Sequence, residues 1–144
     1  MQTKDKIIGY TMGTFDMFHV GHLNLIKNAK AHCDYLIVAV NSDELVSSYK
    51  NKDVIVPLAE RMQIVQALKY VDQVVRSDDL CKIKAQQQHH FTKLFIGDDW
   101  RGSPRWEKTK QDMAELGAEV VFLTYTQNTS STVLREKLLN LMPI

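Results

Sequence analysis

Short apolar runs alternate along this chain with segments in which apolar residues recur every three or four positions. Such runs are typical of buried strands, and the wider spacing is typical of helices that bury one face. The predicted strands cover residues 7–12, 35–40, 71–75, 93–97 and 119–124. This alternation favours an α/β fold with a doubly wound, parallel, five-stranded sheet.

Helix signals fill the intervals between these strands. Pro104 and Gly117 bound a helix predicted over residues 104–116, because proline is favoured in a first turn and glycine just after a last turn. Ser130 or Ser131 is predicted to cap a last helix that ends at about residue 141. Two apolar helical faces precede them: Val20, Leu23, Ile26 and Ala29, and then, after Pro57, Met62, Val65 and Leu68.

Residues 47–53 and 98–103 are the most loop-like stretches, and each follows a predicted strand. In doubly wound sheets, ligands bind beyond the carboxyl ends of strands. We therefore expect these two loops to carry functional residues.

The composition, with 44% hydrophobic and 24% charged residues, indicates one compact domain over residues 1–144. A formal net charge of +1 gives no electrostatic reason to expect nucleic acid as a partner. The two cysteines, Cys33 and Cys81, match no metal or redox spacing. No apolar run approaches the roughly 20 residues of a membrane span. We expect a cytoplasmic protein with free thiols and no membrane partner.

The stretch GTFDMFHVGHLNLI, residues 13–26, places His19 and His22 where the first strand gives way to a helix. The free N–H groups and the dipole at a helix start favour an anion. Gly21 lacks a side chain, so a ligand can approach the backbone there, and both imidazole N–H groups can donate to phosphate oxygens. The segment therefore predicts a phosphate site; the alternative is a pair of surface or capping histidines.

Several motifs follow one another between about residues 7 and 139: GTFDMFHVGH, CDYLIVAVNSDE at 33–44, the lysine pair of YKNK at 49–52, ERMQIVQALKYVDQVV at 60–75 and IGDDW at 96–100. Together they resemble the nucleotidyltransferase superfamily and, within it, the glycerol-3-phosphate cytidylyltransferases. The resemblance implies a single Rossmann-like domain with strand order 3-2-1-4-5. It also implies transfer of a cytidylyl group from CTP to a phosphorylated alcohol, with release of pyrophosphate.

The resemblance assigns roles around the paired histidines. It implies that His19 and His22 hold the triphosphate and stabilise the pentacoordinate transition state. Thr14 and Phe15 would line the nucleotide with their backbone, and Asp16 would orient the loop or the metal. Because the acceptor phosphate is already an oxyanion, the reaction needs alignment and charge stabilisation but no serine or cysteine nucleophile.

Further roles fall on charged residues in the two loops. Lys50 and Lys52 match two basic positions of the family, one facing the acceptor phosphate and the other CTP; the alternative is a solvated loop. Asp99 is expected to accept from a ribose hydroxyl or the cytosine amino group, with turn and cap chemistry as its alternative. Mg²⁺ is expected to arrive with CTP, since the sequence shows no His or Cys cluster for a tightly held metal.

The largest departure from the family lies at residues 125–132, where YTQNTSST replaces R-T-E-G-I-S-T-T. The hydroxyls that can still donate to phosphate are those of Thr126, Ser130, Ser131 and Thr132. Tyr125 stands at the arginine position, so we expect Arg135 to supply the missing cation; the alternative is a solvated charge near Glu136. The departure fits another glycerol phosphate isomer, or a longer polyol phosphate for capsule or wall polymers, as acceptor.

Other charged positions have weaker assignments. The segment around Lys69 and Asp72 resembles a dimer contact of the family, which implies a homodimer, and its alternative is a plain core strand. Lys82 and Lys84 lie where the family sometimes has an acceptor-binding lysine. Arg61 is interpreted as a solvated charge.

Two other functions compete with cytidylyl transfer. An adenylyltransferase of the same fold would use the same histidines with a different base pocket. A nucleotide sensor without catalysis would need no acceptor site, which the histidine and lysine pairs argue against.

Overall fold

Five parallel strands form a sheet in the computed structural model, which describes residues 6–50, 53–97, 102–124 and 130–142. The strands are β1 (Ile8–Gly13), β2 (Tyr35–Asn41), β3 (Gln73–Ser77), β4 (Lys93–Gly97) and β5 (Glu119–Leu123). They pair in the order β3-β2-β1-β4-β5, and every pair is parallel. The α/β class and the strand order are therefore confirmed.

Helices cover both faces of this sheet. In the described residues they are α1 (Val20–Ala31), α2 (Asp43–Lys50), α3 (Leu58–Gln66), α4 (Lys82–His89), α5 (Pro104–Glu115) and α6 (Ser131–Leu141). Ala39 of β2 packs with Trp106 of α5 in one core. Its neighbour Val38 packs with Ile26 of α1 and Val65 of α3 in a second core. Successive strand side chains point to opposite faces, so a strand buried on both sides needs the continuous apolar run found in β2.

The predicted helix boundaries after residue 100 hold. α5 ends at Glu115, and Gly117, with φ +80°, follows its C-cap residue Leu116. The Ser103 hydroxyl accepts the Trp106 N–H at 3.3 Å and caps α5. Ser130, rather than Ser131, caps α6 by accepting the Val133 N–H at 3.1 Å.

The loop predicted over residues 47–53 is wrong for residues 47–50, which belong to α2. Ser42 begins the helix by accepting the Leu45 N–H on its hydroxyl at 3.1 Å. Asp43 lies in the first turn, where a carboxylate complements the helix dipole, and Val46 buries one face. The cap, the acidic first turn and the burial of Val46 stabilise the helix although its second half has a polar, loop-like sequence.

The third strand begins at Gln73 rather than at residue 71. The carboxylate of Asp72 accepts the Leu36 N–H at 2.8 Å and pairs with Lys30 at 2.6 Å. The Asp72 side chain thus binds the backbone at the start of β2, and the regular pairing of β3 with β2 begins at the next residue, Gln73.

Burial follows the predicted helical faces with one exception. Ile26 and Ala29 of α1 are fully buried, whereas Val20 is 51% exposed. Cys33 and Cys81 are free thiols. Within the described residues, none of the helices has the length and apolar character needed to cross a bilayer.

Candidate active site

Two cavities meet at the carboxyl end of β1. Cavity A has a volume of about 260 Å³ and cavity B of about 410 Å³. Met12, Gly13, Thr14 and Lys50 line both. Because β1 lies between β2 and β4, where the direction of winding reverses, the cavities occupy the switch point at which open α/β sheets bind ligands.

The loop between β1 and α1 has a strained backbone. Phe15 and Met17 have φ values of +54° and +50°, in the left-handed region that costs a non-glycine residue about 1–2 kcal/mol. The Phe15 ring is only 3% exposed and packs into the core. Strain of this kind persists where the surrounding contacts fix the loop.

Asp16 provides one set of these contacts. Its two carboxylate oxygens accept the N–H groups of Ile55 and Val56, each at 2.8 Å. Arg135 also donates to this carboxylate at 2.8 Å, and the Ser131 hydroxyl donates to the Asp16 carbonyl at 2.7 Å. Both carboxylate oxygens are therefore engaged, and Asp16 ties the loop to α6.

Arg61 provides a second set and is not a solvated charge, since only 1% of it is exposed. Its Nη1 donates to the carbonyls of Thr14 at 2.6 Å and Asn41 at 2.8 Å. Its Nε donates to the Val56 carbonyl at 2.7 Å, and its Nη2 pairs with Asp43. One guanidinium thus fixes the carboxyl ends of β1 and β2 to the helices that flank them.

His19 and His22 cap α1 with one ring nitrogen each. The Nδ1 atom of His19 accepts the Gly21 N–H at 3.0 Å, and the Nδ1 atom of His22 accepts the His19 N–H at 3.3 Å. The two rings stack with their centroids 3.9 Å apart. Capping uses Nδ1 of each ring and leaves Nε2 for another partner.

Burial decides the charge of the two imidazoles, and these hydrogen bonds decide which nitrogen of each ring carries the proton. Burial, and then the neighbouring His19, lower the pKa of His22 to about 3, and burial also lowers the pKa of His19. Each ring is therefore neutral at pH 7, with its proton on Nε2 because Nδ1 is an acceptor. His22 lines cavity A, and the buried Nε2 of His19 has no hydrogen-bond partner in the described part of the chain. Such donors suit an anion.

Thr14 lies where the cavities join. Its hydroxyl lies 3.3 Å from the Tyr49 hydroxyl and accepts from Lys50 Nζ at 3.5 Å. Tyr49 in turn accepts from the amide nitrogen of Asn41 at 3.1 Å. This network holds the Lys50 ammonium at the junction.

Cavity B is positively charged. The half-buried Lys82 donates to the Leu80 carbonyl at 3.0 Å and lies 5.6 Å from the centroid of the Trp106 ring. Burial, and then the charge of Arg105, lower the pKa of Lys82 to about 8. Arg105 lines the same cavity, and the described lining contains no carboxylate.

Cavity A brings together many of the residues predicted from the sequence: Thr14, Phe15, Asp16, His22, Lys50, Ser131, Thr132 and Arg135. His19 and Gly21 lie beside it at the start of α1, and Ser130 caps α6. Lys52, Asp99 and Thr126 fall outside the described residues. Among the residues that are described, no group of three or more His, Cys, Asp or Glu side chains could hold a metal ion.

The fold agrees with comparisons to known proteins. Residues 10–137 match the family model described as Cytidylyltransferase-like. The chain belongs to this family. A glycerol-3-phosphate cytidylyltransferase of Bacillus subtilis is 34% identical over 137 residues, covering 94% of this chain and 98% of that protein. An FAD synthase of Thermococcus sibiricus is 32% identical over 126 residues, covering 87% of this chain and 85% of that protein.

One solved structure also shares the fold of this cytidylyltransferase-like chain. The lipopolysaccharide core biosynthesis protein of Thermoplasma volcanium matches with a TM-score of 0.72 and 22% identity, covering 87% of this chain and 100% of that one.

The roles of Arg61 and Tyr49 in this cytidylyltransferase-like chain were not predicted from the sequence. Arg61 shares a helical face with Val65 and Leu68, at spacings of four and seven residues. An arginine on an apolar face is a signal of a buried, bonded cation. No comparable pattern marks Tyr49, whose contacts depend on the unpredicted helix α2.

Proposed function

We propose that the protein transfers a cytidylyl group from CTP to the phosphate of a small phosphorylated alcohol. The observation that carries this proposal is the junction of two cavities at Thr14 and Lys50. Cavity A offers the imidazole donor of His22, and cavity B offers the half-buried Lys82. Each cavity can therefore hold one anion, and the two anions would lie next to each other at the junction. The cytidylyltransferase of Bacillus subtilis, similar over nearly its whole length, supports this assignment.

The chemistry requires one displacement at phosphorus. An oxygen of the acceptor phosphate forms a bond to the α-phosphorus of CTP, and the bond from that phosphorus to the β-phosphate bridging oxygen breaks. Pyrophosphate leaves with the electron pair, and no base is needed because the attacking oxygen is already ionised. The neutral Nε2–H donors of His19 and His22 would stabilise the charge on the phosphoryl oxygens, an effect that typically contributes about 10²–10³-fold in rate.

The nucleotide would occupy cavity A. Ser131 and Thr132 line it at the start of α6, and Arg135 lies in its wall. One nitrogen of Arg135 is bonded to Asp16, but a guanidinium carries five N–H donors, so others remain for phosphate. Lys52, Asp99 and Thr126 are proposed to complete the contacts to CTP.

Mg²⁺ is proposed to enter as the CTP complex, where it would neutralise phosphate charge. Both carboxylate oxygens of Asp16 already accept hydrogen bonds. The described residues of cavity A therefore fit the role of partners to a metal–triphosphate complex better than that of metal ligands.

The acceptor would occupy cavity B, between Lys50 and Lys82. A glycerol phosphate or a related polyol phosphate fits this proposal, and the product would be a CDP-alcohol of the kind used in wall or capsule polymers.

A homodimer is also proposed. Asp72, in the segment that suggests it, is engaged within its own chain by Lys30 and Leu36, so light scattering is needed to establish the oligomeric state.

Pyrophosphate release tests the proposal. Each of the four nucleoside triphosphates is paired with a panel of phosphorylated alcohols, with the unphosphorylated alcohols as controls. The expected result is release with CTP and a polyol phosphate only. A folded protein that releases no pyrophosphate with any pair would contradict the proposal.

Adenylyl transfer is the second candidate, and the similarity to an FAD synthase favours it. The same histidines would hold ATP, so the two candidates differ in the base contacts and in the acceptor. Preference for ATP over CTP in the same assay would support this candidate.

A further inference from the structure

Two helix starts converge on cavity B, and each presents a cation to it. Lys82 begins α4 and Arg105 lies in the first turn of α5, and both line the cavity together with Trp106. A helix start already carries partial positive charge, so cations there are unfavourable. The first turn of α4 carries no acidic residue and that of α5 carries Glu107, whereas the first turn of α2 carries both Asp43 and Glu44. A bound anion would offset the positive charge that these two residues, Lys82 and Arg105, add at cavity B.

No carboxylate in the described residues lies within ion-pair distance of either cation. Asp79, whose charge raises the pKa of Lys82, forms its ion pair with Lys84 at 3.7 Å. The Lys82 ammonium contacts the Met12 sulfur at 3.6 Å, a weak acceptor. Arg105 is exposed and makes no ion pair within the described part of the chain. Cavity B is therefore a positively charged pocket without an internal counter-ion in that part.

A neutral polar group in the same cavity lacks a partner. Asn41 is only 4% exposed and lines cavity B. Its amide nitrogen donates to Tyr49, but its amide oxygen is buried without a hydrogen-bond partner among the described residues. An unpaired buried acceptor is unfavourable, and a ligand hydroxyl would supply the missing donor.

We propose that Arg105 is an acceptor-binding residue and that cavity B selects the phosphomonoester of an uncharged polyol. This inference rests on the proposed function and adds to it the residue Arg105 and discrimination against acceptors whose alcohol is positively charged. Arg105 and Lys82 attract a dianionic phosphate, and Asn41 accepts from a polyol hydroxyl. The same cations repel an acceptor whose alcohol carries an ammonium group, such as phosphocholine or phosphoethanolamine.

Steady-state kinetics of the Arg105→Ala protein test this role. With CTP held constant, the KM for glycerol 3-phosphate is expected to rise at least about tenfold, as for loss of a charge-assisted contact. The kcat and the KM for CTP are expected to change little, and Arg105→Lys should retain most of the affinity. Lys108→Ala is the matched control, because Lys108 lies on the same helix, exposed and paired with Asp112.

The pH profile separates binding from a merely structural role. Lys82 is cationic below its lowered pKa of about 8 and neutral above it, so kcat/KM for the acceptor falls as the pH rises through that value. Arg105 lowers this pKa, while Asp79 and Cys81 raise it, and Lys50 lines the same cavity. Arg105→Ala should move the decline to higher pH, whereas Lys108→Ala should not.

Calorimetric binding of glycerol 3-phosphate, measured beside turnover, separates this inference from the proposed function. An unchanged KM and pH profile in Arg105→Ala, or a wild-type preference for phosphocholine, overturns the inference and leaves cytidylyl transfer intact. Binding that Arg105→Ala weakens, without pyrophosphate release from any pair, supports the inference and contradicts the proposed reaction. Absence of both binding and turnover overturns both.

Discussion

Replacement of Arg61 by lysine should destabilise the protein although the charge is kept. The guanidinium reaches three backbone carbonyls and one carboxylate from nitrogens that point in different directions. A lysine ammonium has a single nitrogen and cannot replace that fork. If two acceptors lose their donor, and each loss costs about 1–3 kcal/mol, the total is about 2–6 kcal/mol. This is a large share of the roughly 5–15 kcal/mol that stabilises a typical domain.

Urea unfolding followed by circular dichroism measures this loss. With a slope of about 1–3 kcal/mol/M, the midpoint is expected to fall by at least about 0.7 M. Arg76→Lys is the control, because Arg76 is about half exposed and pairs with Asp78 and Glu44 at the surface; the unfolding midpoint of this variant should stay close to that of the wild type. A loss below about 1 kcal/mol for Arg61→Lys, with an unchanged slope, would refute the reasoning.

Other perturbations address the site. His19→Ala and His22→Ala are each expected to lower kcat by about 10²-fold or more with folding retained, and near-normal turnover of both would remove the histidines from the mechanism. Arg135→Ala should weaken CTP binding by at least about tenfold, measured by calorimetry, and lower the Tm because Asp16 loses its cation; unchanged affinity would return Arg135 to a structural role. EDTA should abolish turnover and added Mg²⁺ restore it, while stoichiometric zinc found by elemental analysis would contradict this metal assignment.

The fold was largely predictable from the sequence because its central strands are mostly buried and helices such as α1 and α3 bury apolar residues on one face. The apolar run of β2 has no other satisfactory place than the interior of a parallel sheet. The helix α2 was not predicted, because its second half, SSYK, has a loop-like composition. Its stability depends on the Ser42 cap and on the burial of Val46, which require the tertiary structure.

The site was predictable in part. The residues around His22 that line cavity A were expected from motif order, but their mutual support was not. That His19 and His22 cap the helix through Nδ1 and keep Nε2 free follows only from the geometry. Similarly, a sequence pattern cannot show that Arg135 and Asp16, 119 residues apart, form a pair. The contacts proposed for Lys52, Asp99 and Thr126 stay predictions.

The last helix has an unusual dependence on the site. None of the residues of α6 is buried, and Leu138, Leu139 and Leu141 are 55–79% exposed. Its specific attachments include the bonds from Ser131 and Arg135 to Asp16, at the opposite end of the chain. Local opening of α6 therefore needs little free energy, and its amide hydrogens should exchange well before those of β2. Each opening also removes the bonds of Ser131 and Arg135 to Asp16, in the loop that carries the histidines, so the order of the carboxyl end of the chain is coupled to the order of the phosphate site.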